Sequence, residues 1–196
     1  MSHYFTDPKA AEVRRSVEVR FWDTDWRFTT ANEVFSADGL DLGTAVLLRS
    51  SAPPADATRL LDLGCGWGVL AVALATACPS AVVDAVDVNP RALALTADNA
   101  RARRVGERVR ALTPDAVEPD VLYDEIWSNP PIRIGKQALH ELLLTWLPRL
   151  APGGTARLVV GRNLGADSLQ RWLHEQGWHC DRVASAKGFR VFAVRP

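Results

Sequence analysis

The segment that most constrains the fold runs over residues 59–89, RLLDLGCGWGVLAVALATACPSAVVDAVDVN. Residues 60–63 form a short, mainly apolar run that suits a buried strand, and glycines follow at every second position. The apolar, alanine-rich residues 69–77 then favour a helix, and a second apolar run, 81–86, leads to Asp87. A strand, a glycine loop, a helix and a second strand ending at an acid predict a parallel unit that binds a ligand at the carboxyl ends of its strands.

The residue types in this unit indicate the ligand. Glycine can take positive φ and lets the backbone approach a ligand closely, and Asp87 is placed to accept from two ribose hydroxyls. The spacing is G-x-G-x-G, whereas a pyrophosphate site uses G-x-G-x-x-G. Asp62 would repel a pyrophosphate but attract an ammonium group. A ligand with an ammonium at one end and a ribose at the other is S-adenosylmethionine (SAM); the alternative is a glycine turn that binds nothing.

The remaining periodicity predicts one α/β domain. Alternating residues 17–21 and 26–30 favour a short N-terminal hairpin, and residues 44–49 favour a helix within an extension spanning 1–50 that also closes the pocket. The catalytic core is assigned to 58–196. Strands alternating with helices predict a doubly wound, Rossmann-like, mostly parallel sheet, with an antiparallel last pair. The Pro-Gly-Gly at 152–154 is expected to turn the chain before a strand at 155–160.

Composition excludes several classes of function. The 196 residues carry a formal net charge of zero, so no overall field attracts the chain to nucleic acid or membrane. Three cysteines that lie far apart in the sequence favour a reducing compartment and no metal site. The sequence opens without a signal peptide pattern and has no apolar run that approaches a membrane span, so we expect a cytoplasmic protein.

The catalytic candidate is Asn129-Pro130-Pro131, directly after a predicted strand at residues 123–128. Two prolines remove two backbone donors and fix two φ angles. They leave a rigid edge of acceptors, namely the Asn129 side-chain oxygen and the Pro130 carbonyl, which suits a planar amino group. Holding both of its hydrogens would aim the nitrogen lone pair at a SAM methyl group, so catalysis would come chiefly from positioning. The alternative is a proline-stiffened turn.

Three motifs together resemble a known family. D-L-G-C-G-W-G, D-V-N-P and S-N-P-P-I-R are similar to those of class I SAM-dependent methyltransferases of the amino-methylating N-P-P group. More narrowly, the chain resembles the methyltransferase small domain family, which includes the ribosomal small subunit methyltransferase C type that makes N2-methylguanine in ribosomal RNA. The resemblance covers nearly the whole chain. It implies seven strands, with the last inserted antiparallel beside the fifth.

The resemblance also implies roles for individual residues. The loop from Asp62 through Gly64, Cys65, Gly66 and Gly68 would surround the methionine end of SAM, and Asp87 would hold the ribose. The adenine would be flanked by Val88 and Asn89 and would bond to Asp115 and Ala116. The pocket-closing contacts would come from Phe35, Ser36 and Thr44. The target nitrogen would be held by Asn129 and Pro130, with Pro131 stiffening the edge, and Asn129 would also contact the cofactor.

Two departures from the family bear on the substrate. Many N-P-P enzymes place an aromatic residue next, where it stacks on a flipped base, but this chain has Ile132. The C-type enzymes carry a second, N-terminal RNA-capture domain that is not found in these 196 residues. Arg133 and Lys136 are candidate phosphate contacts at the pocket rim, or simply a solvated helix start.

The expected function is methylation of guanine N2 in ribosomal RNA, with S-adenosylhomocysteine as the product of the cofactor and RNA as the partner. Adenine N6, cytosine N4 and a protein glutamine stay open, because each presents the same planar amino group. A SAM-binding partner protein without catalysis is a further alternative, and the glycine spacing disfavours a nicotinamide-dependent oxidoreductase. The oligomeric state stays open.

Overall fold

The computed structural model describes residues 10–131 and 135–196. The strands are β1 (Arg14–Phe21), β2 (Thr24–Ala31), β3 (Arg59–Leu63), β4 (Val82–Val86), β5 (Val109–Leu112), β6 (Tyr123–Ser128), β7 (Leu150–Gly161), β8 (His179–Ala186) and β9 (Phe189–Arg195). The α-helices are α1 (Leu42–Ser50), α2 (Val69–Ala77), α3 (Pro90–Ala102), α4 (Lys136–Trp146) and α5 (Ala166–Glu175). Of the described helices, none has the length and apolarity needed to cross a membrane.

Seven strands form the main sheet, in the order β5-β4-β3-β6-β7-β9-β8. The first five of these pair in parallel. Strand β9 lies antiparallel between β7 and β8, so the doubly wound, Rossmann-like sheet with an antiparallel last strand is confirmed. After β3 the chain continues to β4 and β5 on one side, and it returns to the other side of β3 with β6. Such a reversal of strand order opens a crevice at the carboxyl ends of the strands.

Helices cover both faces of the sheet. Neighbouring residues of each strand point to opposite faces, so each strand contributes to two cores. In β3, Leu60 packs into a core formed with α1, α2, α3 and the hairpin. Leu61 and Leu63 pack on the other side, in a second core with α4 and α5. The predicted parallel strands therefore read as apolar runs because both of their faces are buried.

The N-terminal hairpin of β1 and β2 is a separate two-stranded sheet anchored to the first core. The indole Nε1 of Trp22 donates to the carbonyls of Leu48 and Ser51, at 2.8 and 3.1 Å. Asn99 of α3 accepts from the amide of Thr29 at 2.7 Å and donates to its carbonyl at 2.8 Å. These bonds fix the hairpin to the C-terminal ends of α1 and α3.

One boundary differs from the expectation. Pro152, Gly153 and Gly154 lie inside β7 instead of before it. Leu150 pairs with Tyr123 and Thr155 with Glu125, so residues 151–154 face a single residue of β6 and form an irregularity within the strand. A Cβ on Gly154 would approach the Tyr123 carbonyl to 3.0 Å, which explains why the crowded position holds glycine. A Pro-Gly-Gly sequence is typical both of a turn between elements and of an irregularity within a strand. Only the pairing with the neighbouring strand distinguishes the two.

Candidate active site

A cavity of about 400 Å³ lies at the carboxyl ends of the parallel strands. One half is formed by the glycine loop, the end of β4 and the segment before α1: Phe35, Ser36, Gly64, Gly66, Asp87, Val88, Asn89 and Pro114. The other half is formed by the proline edge, α4, the end of β7 and the start of β9: Pro130, Pro131, Leu142, Trp146, Gly161, Leu164 and Phe189. Asp41 and Asn129 also line this cavity.

The glycine loop is tied to the end of the neighbouring strand. The amides of Gly64 and Cys65 donate to the Val86 carbonyl at 2.8 and 3.0 Å, and the Gly66 amide donates to Asp87 Oδ2 at 2.9 Å. A pyrophosphate site needs such amides to point at the ligand. Because these three are already used, the loop geometry agrees with the spacing argument against a dinucleotide.

The three glycines of the loop differ in what surrounds them. Gly64 and Gly66 have φ of +77° and +55°, and a Cβ at either would meet nothing within 4 Å. Gly68 has φ of +86°, and its Cβ would lie 2.8 Å from Thr96 of α3. The first two therefore leave room on the cavity side, whereas the third allows helix and loop to pack.

Asp87 lies at the tip of β4 with both oxygens engaged by backbone. Its Oδ1 accepts from the Asn89 amide and its Oδ2 from the Gly66 amide, each at 2.9 Å. Burial raises the pKa of this carboxyl, and the backbone bonds oppose that rise. A carboxylate has about four lone-pair sites, so capacity is left for two hydroxyls on the cavity side.

Asn89 and Val88 line the same half of the cavity in different ways. The Asn89 side chain caps α3, accepting from the Arg91 amide at 2.9 Å, and donates to the Glu33 carbonyl at 2.8 Å. Its predicted contact with adenine would therefore come from its backbone. Val88 is 52% exposed at the cavity mouth, where it can cover a flat ring.

Asp62 lies behind the loop, 1% exposed, and lines a smaller adjoining cavity of about 30 Å³ instead of the main one. Its Oδ2 accepts from the Ala71 amide at 2.9 Å. Its Oδ1 has no hydrogen-bond partner among residues 10–131 and 135–196. Burial raises the Asp62 pKa to about 7. A space of about this size holds one water or one ammonium group, so the orphaned oxygen fits the proposed role.

Three other predicted cofactor residues, Cys65, Asp115 and Ala116, do not line the main cavity. Cys65 is buried, its thiol pKa is raised well above the ordinary value by burial, and it contacts the Thr96 hydroxyl, so it is no nucleophile. Asp115 and Ala116 are exposed in the short turn Pro114–Ala116, of which only Pro114 lines the cavity. The Thr113 side chain holds the pKa of Asp115 below its usual value.

The pocket-closing segment reaches both cavities. Phe35 is 43% exposed and Ser36 donates its hydroxyl to the Gly39 carbonyl at 2.7 Å. Both residues line the main and the smaller cavity, while Thr44, buried at the start of α1, lines the smaller one.

Asn129 follows β6 and is held by the segment that precedes α1. Its Nδ2 donates to Asp41 Oδ2 at 2.7 Å and to Thr44 Oγ1 at 3.0 Å. Sequence reasoning missed Asp41. The available signal was an acid before an apolar helix, and Asp41 does cap α1 by accepting from the Thr44 amide at 3.0 Å.

The half of the cavity formed by the proline edge, α4, β7 and β9 is apolar and aromatic, which sequence reasoning also missed. We call it the acceptor half, because the sequence predicts that Asn129 and Pro130 hold the methyl acceptor there. Trp146 is 3% exposed, and Leu164 is 54% exposed at the rim. The Phe189 ring lies against the backbone of Gly43, where a Cβ would come within 2.9 Å of it.

Of the predicted substrate contacts, Lys136 is exposed at the start of α4, while Ile132 and Arg133 lie outside the described residues. In the described chain, no group of three or more His, Cys, Asp or Glu side chains could hold a metal ion.

Comparison with known proteins gives the following matches. The profile of the family described as "Methyltransferase small domain" matches residues 25–193. The uncharacterized protein YbxB of Bacillus subtilis is 27% identical over 197 residues, covering 98% of each chain. The ribosomal RNA small subunit methyltransferase C of Hahella chejuensis is 37% identical over 163 residues, covering 80% of this chain and 47% of that protein.

Among solved structures, the T. thermophilus 16S rRNA methyltransferase RsmC, in complex with AdoMet and guanosine, superposes with a TM-score of 0.81 at 23% identity. The alignment covers 96% of this chain and 52% of that one. The chain thus spans about half the length of these two ribosomal RNA methyltransferases, whereas it matches YbxB over its full length.

Proposed function

The chain belongs to the methyltransferase small domain family of SAM-dependent methyltransferases, and on that premise we propose that it methylates the exocyclic amine of a nucleobase. The favoured substrate is guanine N2 in ribosomal RNA. The choice of a nucleobase amine as the methyl acceptor rests on the shape and chemistry of the acceptor half of the cavity and on the Asn129-Pro130-Pro131 edge.

The observation that carries the proposal is the orientation of the Asn129 amide. Its NH₂ group faces two acceptors, Asp41 and Thr44, so its oxygen is left as an acceptor on the cavity that Asn129 lines. Together with the Pro130 carbonyl, this oxygen can receive both hydrogens of a planar amino group. A group held in this way presents its nitrogen lone pair in one direction, which lowers the barrier by orientation.

The residues present fit SAM. Asp87 would accept from the ribose hydroxyls, Asp62 would face the ammonium group through the smaller cavity, and Val88 would cover the adenine. Bound SAM would supply an electrophilic methyl group for transfer to the acceptor nitrogen, and its sulfur would keep the electron pair of the broken carbon–sulfur bond, giving S-adenosylhomocysteine. The acceptor nitrogen loses its proton to solvent after it has become cationic, so these side chains need supply no strong base.

The apolar lining favours a flat ring over a protein side chain. Trp146, Leu142, Leu164 and Phe189 bound the acceptor half, and aromatic and aliphatic surfaces of this kind stabilise a stacked base. Phe189 can supply the stacking that Ile132 cannot. The Hahella chejuensis relative is named for ribosomal RNA and the T. thermophilus structure contains guanosine, which supports RNA and guanine among the possible amines.

The proposal is tested by incubating the protein with radiolabelled SAM and separated RNA, DNA and protein fractions, then digesting the labelled fraction and separating its products. We expect label in RNA, recovered as N2-methylguanosine. Asp87→Ala serves as the control for SAM-dependent labelling. Label in another methylated base, or in protein glutamine, would replace the guanine assignment with adenine N6, cytosine N4 or glutamine. SAM binding without labelling of any fraction would favour the non-catalytic partner protein.

A further inference from the structure

A carboxylate of the segment before α1 contacts the side-chain amide of Asn129. Asp41 Oδ2 lies 2.7 Å from Asn129 Nδ2, across 88 residues of sequence, and Thr44 Oγ1 lies 3.0 Å from the same nitrogen. Asp41 Oδ2 also accepts from the Thr44 amide at 3.0 Å. The Asn129 amide nitrogen therefore has two acceptors around it, one for each of its hydrogens.

The chemistry of these partners selects one orientation of the amide. An ionised carboxylate has only lone pairs to offer, so an amide oxygen in the same place would face it with like partial charge. The NH₂ group must then lie toward Asp41, and the oxygen lies on the opposite edge. Without Asp41, the amide of Asn129 could turn over and present a donor to an amine that itself donates. That orientation leaves the hydrogens of the amine without an acceptor, which is costly in a desolvated site.

We propose that Asp41 is a positioning residue, whose carboxylate holds the Asn129 side chain with its oxygen toward the methyl acceptor. The inference rests on the proposed function, because it assigns Asn129 the role of holding the amine. Asp41 acts through Asn129 and not on the reacting atoms.

The space beside the Asp41 carboxylate is narrow. A Cβ on Gly43 would lie 2.9 Å from Asp41 Oδ2 and 2.9 Å from Cε1 of Phe189, so backbone of α1 and the Phe189 ring close the space beside it. Helix capping explains an acid here but does not require one, because a serine also caps a helix. Only the longer side chain reaches Asn129 as well.

The experiment compares Asp41→Ser, which retains a capping oxygen but is too short to reach Asn129, with Asp41→Asn, whose side-chain oxygen can still accept from both donors. Thr44→Val removes the second acceptor and leaves Asp41 in place. The first readout needs no substrate: hydrogen exchange of the isotope-labelled Asn129 side-chain amide in the ligand-free protein. We expect slow exchange in the wild type and in Asp41→Asn, and fast exchange in Asp41→Ser.

The second readout is single-turnover methyl transfer beside S-adenosylhomocysteine affinity and thermal unfolding. In Asp41→Ser the transfer rate should fall about tenfold or more, because the Asn129 amide would rotate freely instead of presenting its oxygen to the amine. Cofactor affinity should change less than the transfer rate. Asp41→Asn should recover most of the rate, and Thr44→Val should lie between the two.

The outcomes separate this inference from the proposed function. Unchanged Asn129 exchange and an unchanged transfer rate in Asp41→Ser would overturn the positioning role, even if the wild type methylates a base. A wild type that methylates no amine, with Asn129 exchange still dependent on Asp41, would overturn the proposed function while the amide orientation stands. Loss of rate matched by an equal loss of thermal stability, without rescue by Asp41→Asn, would mean that Asp41 only caps α1.

Discussion

We predict that the orphaned oxygen of Asp62 makes cofactor affinity depend on pH. The carboxyl is buried, one of its oxygens has no partner in the part of the chain that the structure describes, and its pKa is raised to about 7. If the ammonium of the cofactor occupies the adjoining cavity, it favours the ionised carboxylate. Binding should therefore release a proton from Asp62, and affinity should be lost as the pH falls through about 7.

The size of the effect follows from that pKa. With a value of about 7, about half of the Asp62 side chains are ionised at pH 7 and about 3% at pH 5.5, so affinity should differ by about 15-fold. The same carboxyl should lower the stability of the ligand-free protein as the pH rises from about 4 to about 7, because its pKa is higher in the folded than in the unfolded chain.

The assay is calorimetry of S-adenosylhomocysteine binding at these two pH values, in buffers of different ionisation heat so that released protons are counted. Asp62→Asn is the matched variant and should bind with little pH dependence. Adenosine is the matched ligand: it would keep the predicted ribose contacts to Asp87, whose pKa is also raised by burial, but it lacks the ammonium. Equal wild-type affinities for S-adenosylhomocysteine at both pH values, or the same dependence for adenosine, would refute the role of Asp62.

Three further perturbations test separate parts of the site. Asp87→Ala should weaken S-adenosylhomocysteine binding by about 2–3 kcal/mol, because charge-assisted bonds to two ribose hydroxyls would be lost. Replacing the exposed Asp115 by Ala should weaken binding less. A larger loss for Asp115→Ala than for Asp87→Ala in calorimetry would contradict the assignment of Asp87 to the ribose. Gly68→Ala should lower stability in chemical denaturation by about 1–3 kcal/mol more than Gly66→Ala, since its Cβ meets Thr96 at 2.8 Å; equal losses would contradict the packing role. The logarithm of RNA affinity should fall with the logarithm of salt by about 0.9 per duplex phosphate neutralised and with a small total slope, because the net charge is zero; a steep slope would indicate a basic surface that the composition does not suggest.

The sequence predicts the sheet well because its signals are local. Apolar runs bounded by glycine and proline mark each parallel strand, and the G-x-G-x-G loop with Asp87 indicates where a ligand lies before any contact is known. Asp62, Gly64, Gly66, Asp87 and Asn129 are brought to two adjoining cavities, while their roles toward SAM stay predictions.

The parts that escaped sequence reasoning depend on contacts between distant elements. Asp41 has a sufficient local explanation as a helix cap, so nothing nearby indicates its bond to Asn129. Trp146 and Phe189 lie on α4 and β9, which become neighbours of the proline edge only through the order of strands in the sheet. Their apolar character predicts burial equally well, so the lining of the acceptor side needs the tertiary structure.

The central claim is that Asn129 acts chiefly by orienting the acceptor amine and adds little to cofactor affinity. The direct measurement is single-turnover methyl transfer by Asn129→Ala and Asn129→Asp, beside their affinities for S-adenosylhomocysteine. Transfer by Asn129→Ala should fall by orders of magnitude, since positioning supplies several kcal/mol and each 1.4 kcal/mol is about tenfold, while cofactor affinity stays near that of the wild type. Asn129→Asp should lose less, because a carboxylate still accepts from an amine. Full transfer by Asn129→Ala would mean that the Asn-Pro-Pro segment is only a turn.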